Sequence, residues 1–216
     1  MKATAVNGSP RKTWNTATLL EHALRGCADA GFETELLHLY NHDYRGCISC
    51  FACKRIGGES YGRCNVRDGL TPILKSVAEA DVLILGSPFY FHTETGAMRS
   101  LMERLLFPYL TYTPERTSLF PGKIQTAFVY TMNAPEEEMP LAHQDSSVAA
   151  SRGIMTHIFG SCEVLLSTET YQFDDYSKYL TTRWDPKVKA RRRREIFPQD
   201  CERAYELGNR LAAAAR

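Results

Sequence analysis

No apolar run in this 216-residue chain approaches the length of a membrane span, and the N-terminal "MKATAVNGSP" holds too short an apolar segment for a secretion signal. The expectation is a cytoplasmic protein with no membrane partner. An excess of one charge is missing too. Twenty-six basic residues stand against 25 acidic ones, a formal charge of +1, so no long-range field draws the chain to nucleic acid. Small molecules are the expected ligands. The cysteines number seven, an odd count without an export signal, which argues for thiols or metal ligands and against a disulfide framework. No G-x-G-x-x-G follows the first apolar run, which excludes a dinucleotide fingerprint. "GGESYGRC" has glycines at phosphate-loop spacing, but Arg63 and Cys64 stand where Lys and Ser or Thr are needed.

What the sequence does contain is an alternation of short apolar runs with segments of helical period. Ala3–Val6 reads as a strand, and Ala17, Leu20, Leu24 and Cys27 or Ala28 then recur at helical spacing up to a C-cap at Gly31. Leu36–Leu39 reads as a second strand. Leu70, Ile73, Leu74 and Val77 mark a helix with Asp68 as N-cap and Pro72 in its first turn. "DVLILGSP" is a strand covered on both faces. A helix near Gly96–Leu106, a strand "IQTAFVY", a helix near His143–Phe159, a strand "CEVLLS" and a final helix "DCERAYELGNRLAAAA" complete the pattern. Five strands alternating with five helices imply an α/β sandwich around a parallel sheet.

In such sheets ligands sit beyond the C-terminal strand ends. The loop "NGSPRKTWN" leaves the first strand and enters the first helix, where free N–H groups and the helix dipole favour an anion such as phosphate. Ser9, Asn15 and Thr16 can donate hydrogen bonds to it, and Arg11 or Lys12 can add charge. The competing reading is a polar turn with an Asn or Thr N-cap, since caps use the same chemistry. "SPFYFHTETG" places three aromatics and a proline after a buried strand, which suits one wall of a flat heteroaromatic site or a subunit contact. His92 there is either a proton donor to a substrate or a hydrogen-bonding loop residue.

"GCISCFACKRIGGESYGRC" brings Cys47, Cys50 and Cys53 at three-residue intervals and returns to Cys64 after a glycine-rich stretch. Four thiolates are the ligand count of a [4Fe-4S] cluster, and C-x2-C-x2-C matches ferredoxin-style ligation. Free thiols, a redox disulfide and zinc are the alternatives, zinc being the poorer fit because its sites usually show two separated pairs. Cys27, Cys162 and Cys201 fall in helix or strand patterns and are expected in the core. "KVKARRRRE", six basic residues in eight positions from Lys187, reads as a solvated segment and receives no function.

Taken together, "NGSPRKTWNTATLL" and "LILGSPFYFHTETGAMRSLMERL" resemble the NAD(P)H-dependent FMN reductase and iron-sulfur flavoprotein group, from residue 3 to about 170. The resemblance implies a flavodoxin-like three-layer sandwich with a five-stranded parallel sheet: one FMN-binding domain over 1–216 with a cysteine-rich insertion at about 44–67. It implies that Ser9, Arg11, Asn15 and Thr16 bind the FMN phosphate. Ser87, Pro88, Phe89, Tyr90 and Phe91 would run along the isoalloxazine, with Thr131, Met132 and Asn133 on its other side. Trp14 departs from the small residue that such loops carry. The similar iron-sulfur flavoproteins bear a compact four-cysteine motif in the position of Cys47, Cys50, Cys53 and Cys64, although the last gap is longer here.

The implied function is transfer of electrons from NAD(P)H to a quinone, flavin or other acceptor. No catalytic side chain is assigned, because FMN carries the chemistry. The alternatives are an iron-sulfur flavoprotein exchanging single electrons with a ferredoxin-like partner, or a non-enzymatic flavodoxin-like carrier, against which the near-neutral charge counts. Tyr109, Tyr112, Tyr171, Tyr176 and Tyr179 populate connections that in similar proteins build subunit contacts, so a homodimer or homotetramer is implied.

Overall fold

A computed structural model describes all residues, 1–216. The first apolar run forms β1 (Lys2–Asn7) and the helical period that follows forms α1 (Asn15–Asp29). Gly31 ends that helix at φ +85°, a left-handed conformation that its missing Cβ permits. Next come β2 (Glu33–His38), α2 (Thr71–Ala78), β3 (Val82–Tyr90), a two-residue β4 (Thr93–Glu94) and α3 (Gly96–Leu106). The chain continues through β5 (Gln125–Thr131), α4 (Gln144–Phe159), β6 (Glu163–Ser167), α5 (Pro186–Glu195) and α6 (Phe197–Ala214). No helix is long and apolar enough to cross a membrane.

The five long strands pair in parallel in the order β2-β1-β3-β5-β6, while β4 folds back antiparallel on the end of β3. Counting long strands only, this is the 2-1-3-4-5 order of doubly wound sheets, whose chain direction switches between the first and third strands. Side chains alternate across the pleat. Ala3, Ala5, Val82, Ile84, Ala127 and Val129 face α1 and α6, whereas Val6, Leu83, Leu85, Phe128 and Tyr130 face α2, α3 and α4. The result is three layers with a core on each side of the sheet. α1 and α6 approach closely through Gly26 and Gly208, where an added Cβ would collide with the Tyr205 and Ala23 carbonyls.

Three expectations need correction. Asp68 does not cap α2, whose N-cap is Leu70 without a side-chain bond. Its carboxylate instead pairs with Arg104 at 2.5 Å, and it also accepts from Leu70 N at 3.0 Å. The "SPFYFHTETG" stretch is not a loop but a hairpin: β3 runs through Tyr90, and Phe91 and His92 turn at φ 50° and 69°. The basic run at 187–195 is a solvated segment only in part: it forms α5, which exposes Lys187, Arg191 and Arg194 but leaves Lys189 only 2% exposed.

Candidate functional site

A cavity of about 140 Å³ opens beyond the C-terminal ends of β1, β3 and β5. Four segments build its wall. The first is the loop after β1 with the start of α1: Ser9, Arg11, Trp14, Asn15 and Thr16. Pro88, Phe89 and Tyr90 come from the end of β3, Thr131, Met132 and Asn133 from the end of β5, and Thr170, Tyr171 and Gln172 follow β6. Of the twelve residues implied around the ligand, Ser87 and Phe91 alone stand outside this wall. Ser87 is fully buried, donating to Pro88 O at 2.9 Å and accepting from Thr95 N at 3.1 Å. Phe91 sits on the hairpin tip and is 98% exposed.

The loop's backbone is held by its own side chains. Asn7 Oδ1 accepts from Ser9 N at 2.9 Å, and Ser9 Oγ accepts from Arg11 N at 3.1 Å. Thr16 and Thr131 hydroxyls meet at 2.8 Å and tie α1 to β5. The N-cap of α1 is Trp14, which makes no side-chain cap bond, and the first turn carries no acidic residue. The helix therefore presents uncapped N–H groups and the positive end of its dipole to the cavity. Neither Asn15 nor Thr16 serves as the cap, which removes the main argument for an ordinary polar turn.

Trp14, the departure noted in the sequence, is structural. Its Nε1 donates to Tyr171 O at 3.0 Å, and Arg11 lies 4.3 Å from its ring centroid. Asn15 Nδ2 also donates to Tyr171 O, at 2.9 Å, and Arg11 Nη1 to Gln172 O at 2.6 Å. The 170–172 segment thus covers the loop and narrows the cavity. Asn133 donates Nδ2 to Gln172 Oε1 at 3.0 Å and leaves its buried Oδ1 without a partner. An orphaned acceptor beside an uncapped helix start fits a ligand with both a donor edge and an anionic end. The sequence carried no local signal for Thr170, Tyr171 or Gln172, which reach the site through pairing after β6.

Beneath the aromatic wall lies a buried carboxylate. Glu94 accepts from Tyr130 and Ser151 hydroxyls at 2.6 Å each and from Thr93 at 2.7 Å. Burial works against its charge, but the Ser151, Tyr130 and Thr93 donors hold its carboxyl below the ordinary value. Burial, with Glu94 beside it, pushes the Tyr130 phenol up. The Tyr130 ring packs tilted against Phe89, centroids 4.8 Å apart, so this network fixes the wall. His92 is exposed and shares a 3.2 Å contact with Gln144.

The four cysteines also share a cavity, a small one of about 20 Å³ against the end of α3. Cys53 is buried, Cys64 half-buried, and Cys47 and Cys50 are exposed; none forms a disulfide. No three of these thiols converge to metal-binding distance in the structure. The segment is fastened from outside: Cys47 N donates to Glu103 at 2.9 Å, and Lys54 Nζ donates to the Phe107 and Pro108 carbonyls. Arg104, wholly buried, donates Nε to Cys64 Sγ at 3.3 Å and binds the Arg45 and Val66 carbonyls at 3.0 Å each. A larger cavity of about 520 Å³ lies on the other side of Arg104, between α2 and α3, and holds none of the strand-end residues.

The sheet order and the strand-end crevice at its switch point define a flavodoxin-like α/β protein. Solved structures share this architecture. An azoreductase from Bacillus anthracis str. Sterne superposes with a TM-score of 0.69 over 97% of this chain and 99% of its own, at 16% identity. An NAD(P)H:quinone oxidoreductase from Methanothermobacter marburgensis gives 0.68 over 98% of each chain, also at 16% identity. The chain belongs to the NADPH-dependent FMN reductase family, whose profile matches residues 1–154. FMN is the cofactor that family membership brings. Curated relatives include an iron-sulfur flavoprotein of Methanocaldococcus jannaschii, 39% identical over 48% of this chain and 51% of its own length. Another, from Archaeoglobus fulgidus, is 35% identical over 63% of this chain and 58% of its own. The chain spans about half the length of the curated relatives it matches.

Proposed function

We propose that residues 1–216 form one FMN-binding domain that passes electrons from NAD(P)H to a quinone, flavin or other acceptor. The observation that carries this reading is the uncapped start of α1 opening into the same cavity as the ends of β3 and β5. Bound FMN supplies the hydride and single-electron chemistry. The chain's residues bind and orient. Ser9, Asn15 and Thr16 would donate to the phosphate while Arg11 supplies charge. Pro88, Phe89 and Tyr90 would line one side of the ring system and Thr131, Met132 and Asn133 the other, the unpartnered Asn133 Oδ1 accepting from its polar edge. Glu94 and Tyr130 hold that wall rigid, so little ordering cost falls on binding.

A second reading concerns the cysteines and is favoured by their common cavity and by the Arg104 donation to Cys64. Cys47, Cys50, Cys53 and Cys64 would hold a [4Fe-4S] cluster, which the names of the curated relatives also support. Thiols gain nothing by converging until metal arrives, so closure of the segment and ligation are one event. Loaded in this way, the protein would exchange single electrons with a ferredoxin-like partner. The exposed Tyr90 and Phe91 beside the cavity support a homodimer or homotetramer.

The test is anaerobic mixing of FMN-loaded protein with NADH and with NADPH. Loss of the yellow oxidised absorbance with either one is expected. Its persistence with both would leave a flavodoxin-like carrier, not a reductase.

A further inference from the structure

α5 begins at an Asp185 cap and Pro186, and it turns three of its six cations inward at positions i, i+3 and i+4. Lys189 donates Nζ to the Asn133 carbonyl at 2.6 Å, anchoring the helix to the segment after β5. Arg192 pairs with Asp200 at 2.7 Å, anchoring it to α6. Arg193 is different. Its guanidinium packs 4.1 Å over the Phe197 ring and 5.9 Å from the Trp14 ring, and it donates Nη1 to Asn15 Oδ1 at 2.8 Å. It makes no ion pair, so a half-buried positive charge stands one hydrogen bond from the start of α1 without an anion. Burial is also the main cause that pushes its pKa below the ordinary value. Arg11, on the same indole, likewise lacks a carboxylate partner.

We propose that Arg193 is a phosphate-recognition residue of the mononucleotide site, brought there by α5 acting as a strap across the loop after β1. The proposal rests on the FMN reading above. Arg193 has two effects. Its charge offsets the phosphate dianion in a partly desolvated setting. By taking Asn15 Oδ1, it also fixes that amide with its NH2 group on Tyr171 O at the cavity wall, which leaves the second N–H to donate to a phosphate oxygen.

Fluorescence titration of metal-free, flavin-free protein with FMN and with riboflavin separates these claims. Arg193→Gln should weaken FMN binding by about ten-fold and leave riboflavin within about two-fold, because riboflavin lacks the phosphate. The wild-type FMN affinity should also fall more steeply with salt than that of Arg193→Gln. Arg193→Lys keeps the charge but not the fork, and should recover part of the loss. It carries the test by its salt dependence if Arg193→Gln does not fold. Unchanged FMN affinity, or an equal loss for both ligands, would reduce Arg193 to a structural support and overturn the proposal. Equal wild-type affinities for FMN and riboflavin would instead overturn the FMN reading itself.

Discussion

Replacing Arg104 by Met tests how the cysteine segment is held. The Arg104 side chain is 0% exposed and its Asp68 partner 20%, at 2.5 Å. Burial opposes its charge, but Asp68 and Cys64 outweigh burial and keep the guanidinium ionised. Met fills similar volume without donors, so it strands the Asp68 carboxylate and the Arg45 and Val66 carbonyls. Removing one partner of a buried pair costs about 3–5 kcal/mol. Solvent can reach these acceptors once the segment loosens, which places the expected loss near 3 kcal/mol. Opening should then be about 100-fold more frequent. The assay is the labelling rate of Cys53 and Cys64 by a thiol reagent, mapped by mass spectrometry, with urea unfolding in parallel. Asp68→Asn added to Arg104→Met should restore part of the loss, since the stranded charge is gone. Unchanged Cys64 labelling with a stability change below about 1 kcal/mol would refute the reasoning.

Other outcomes follow from burial and backbone. At about pH 8, metal-free native protein should label first at Cys47 and Cys50, which are exposed. Cys27, pushed up to about 11 by burial, and the likewise raised Cys53, Cys162 and Cys201 should react only on opening; early labelling of Cys27 would contradict this. Gly208→Ala should cost about 1–3 kcal/mol because its methyl meets the Ala23 carbonyl, whereas Gly153→Ala, in α4 with nothing within 4 Å, should stabilise by about 0.5–1 kcal/mol. Thermal unfolding reads both signs. Burial, with Lys12 nearby, holds the His38 imidazole below its ordinary value of 6.5, and Asn7 lies 3.0 Å from its Nδ1. The unfolded state therefore takes up the proton first, and stability falls as pH drops through 6.5 toward the folded value. Urea midpoints of His38→Gln should be flatter with pH there than those of wild type.

The order of elements was legible wherever one local period ran uninterrupted. β3 shows an apolar run because helices cover both its faces, and α3 spans the expected Gly96–Leu106. The site's first three segments were legible because each follows a recognisable strand. What could not be read were partnerships set by tertiary pairing. Asp68 has the local signature of a cap whether or not an arginine waits 36 residues away on α3. α5 carries charge on every side, so no period marks its inner face, and Arg193 meets Asn15 across 178 residues. Tyr171 and Gln172 reach the site only because β6 lies beside β5. The Phe91–His92 turn was hidden because such hairpins favour glycine or asparagine there.

The most direct measurement is the affinity of flavin-free wild-type protein for FMN against riboflavin at one ionic strength. Hydroxyl, amide and arginine contacts at an uncapped helix start should favour FMN by at least about 100-fold. Equal affinities would mean that no phosphate is seated at the entrance to α1.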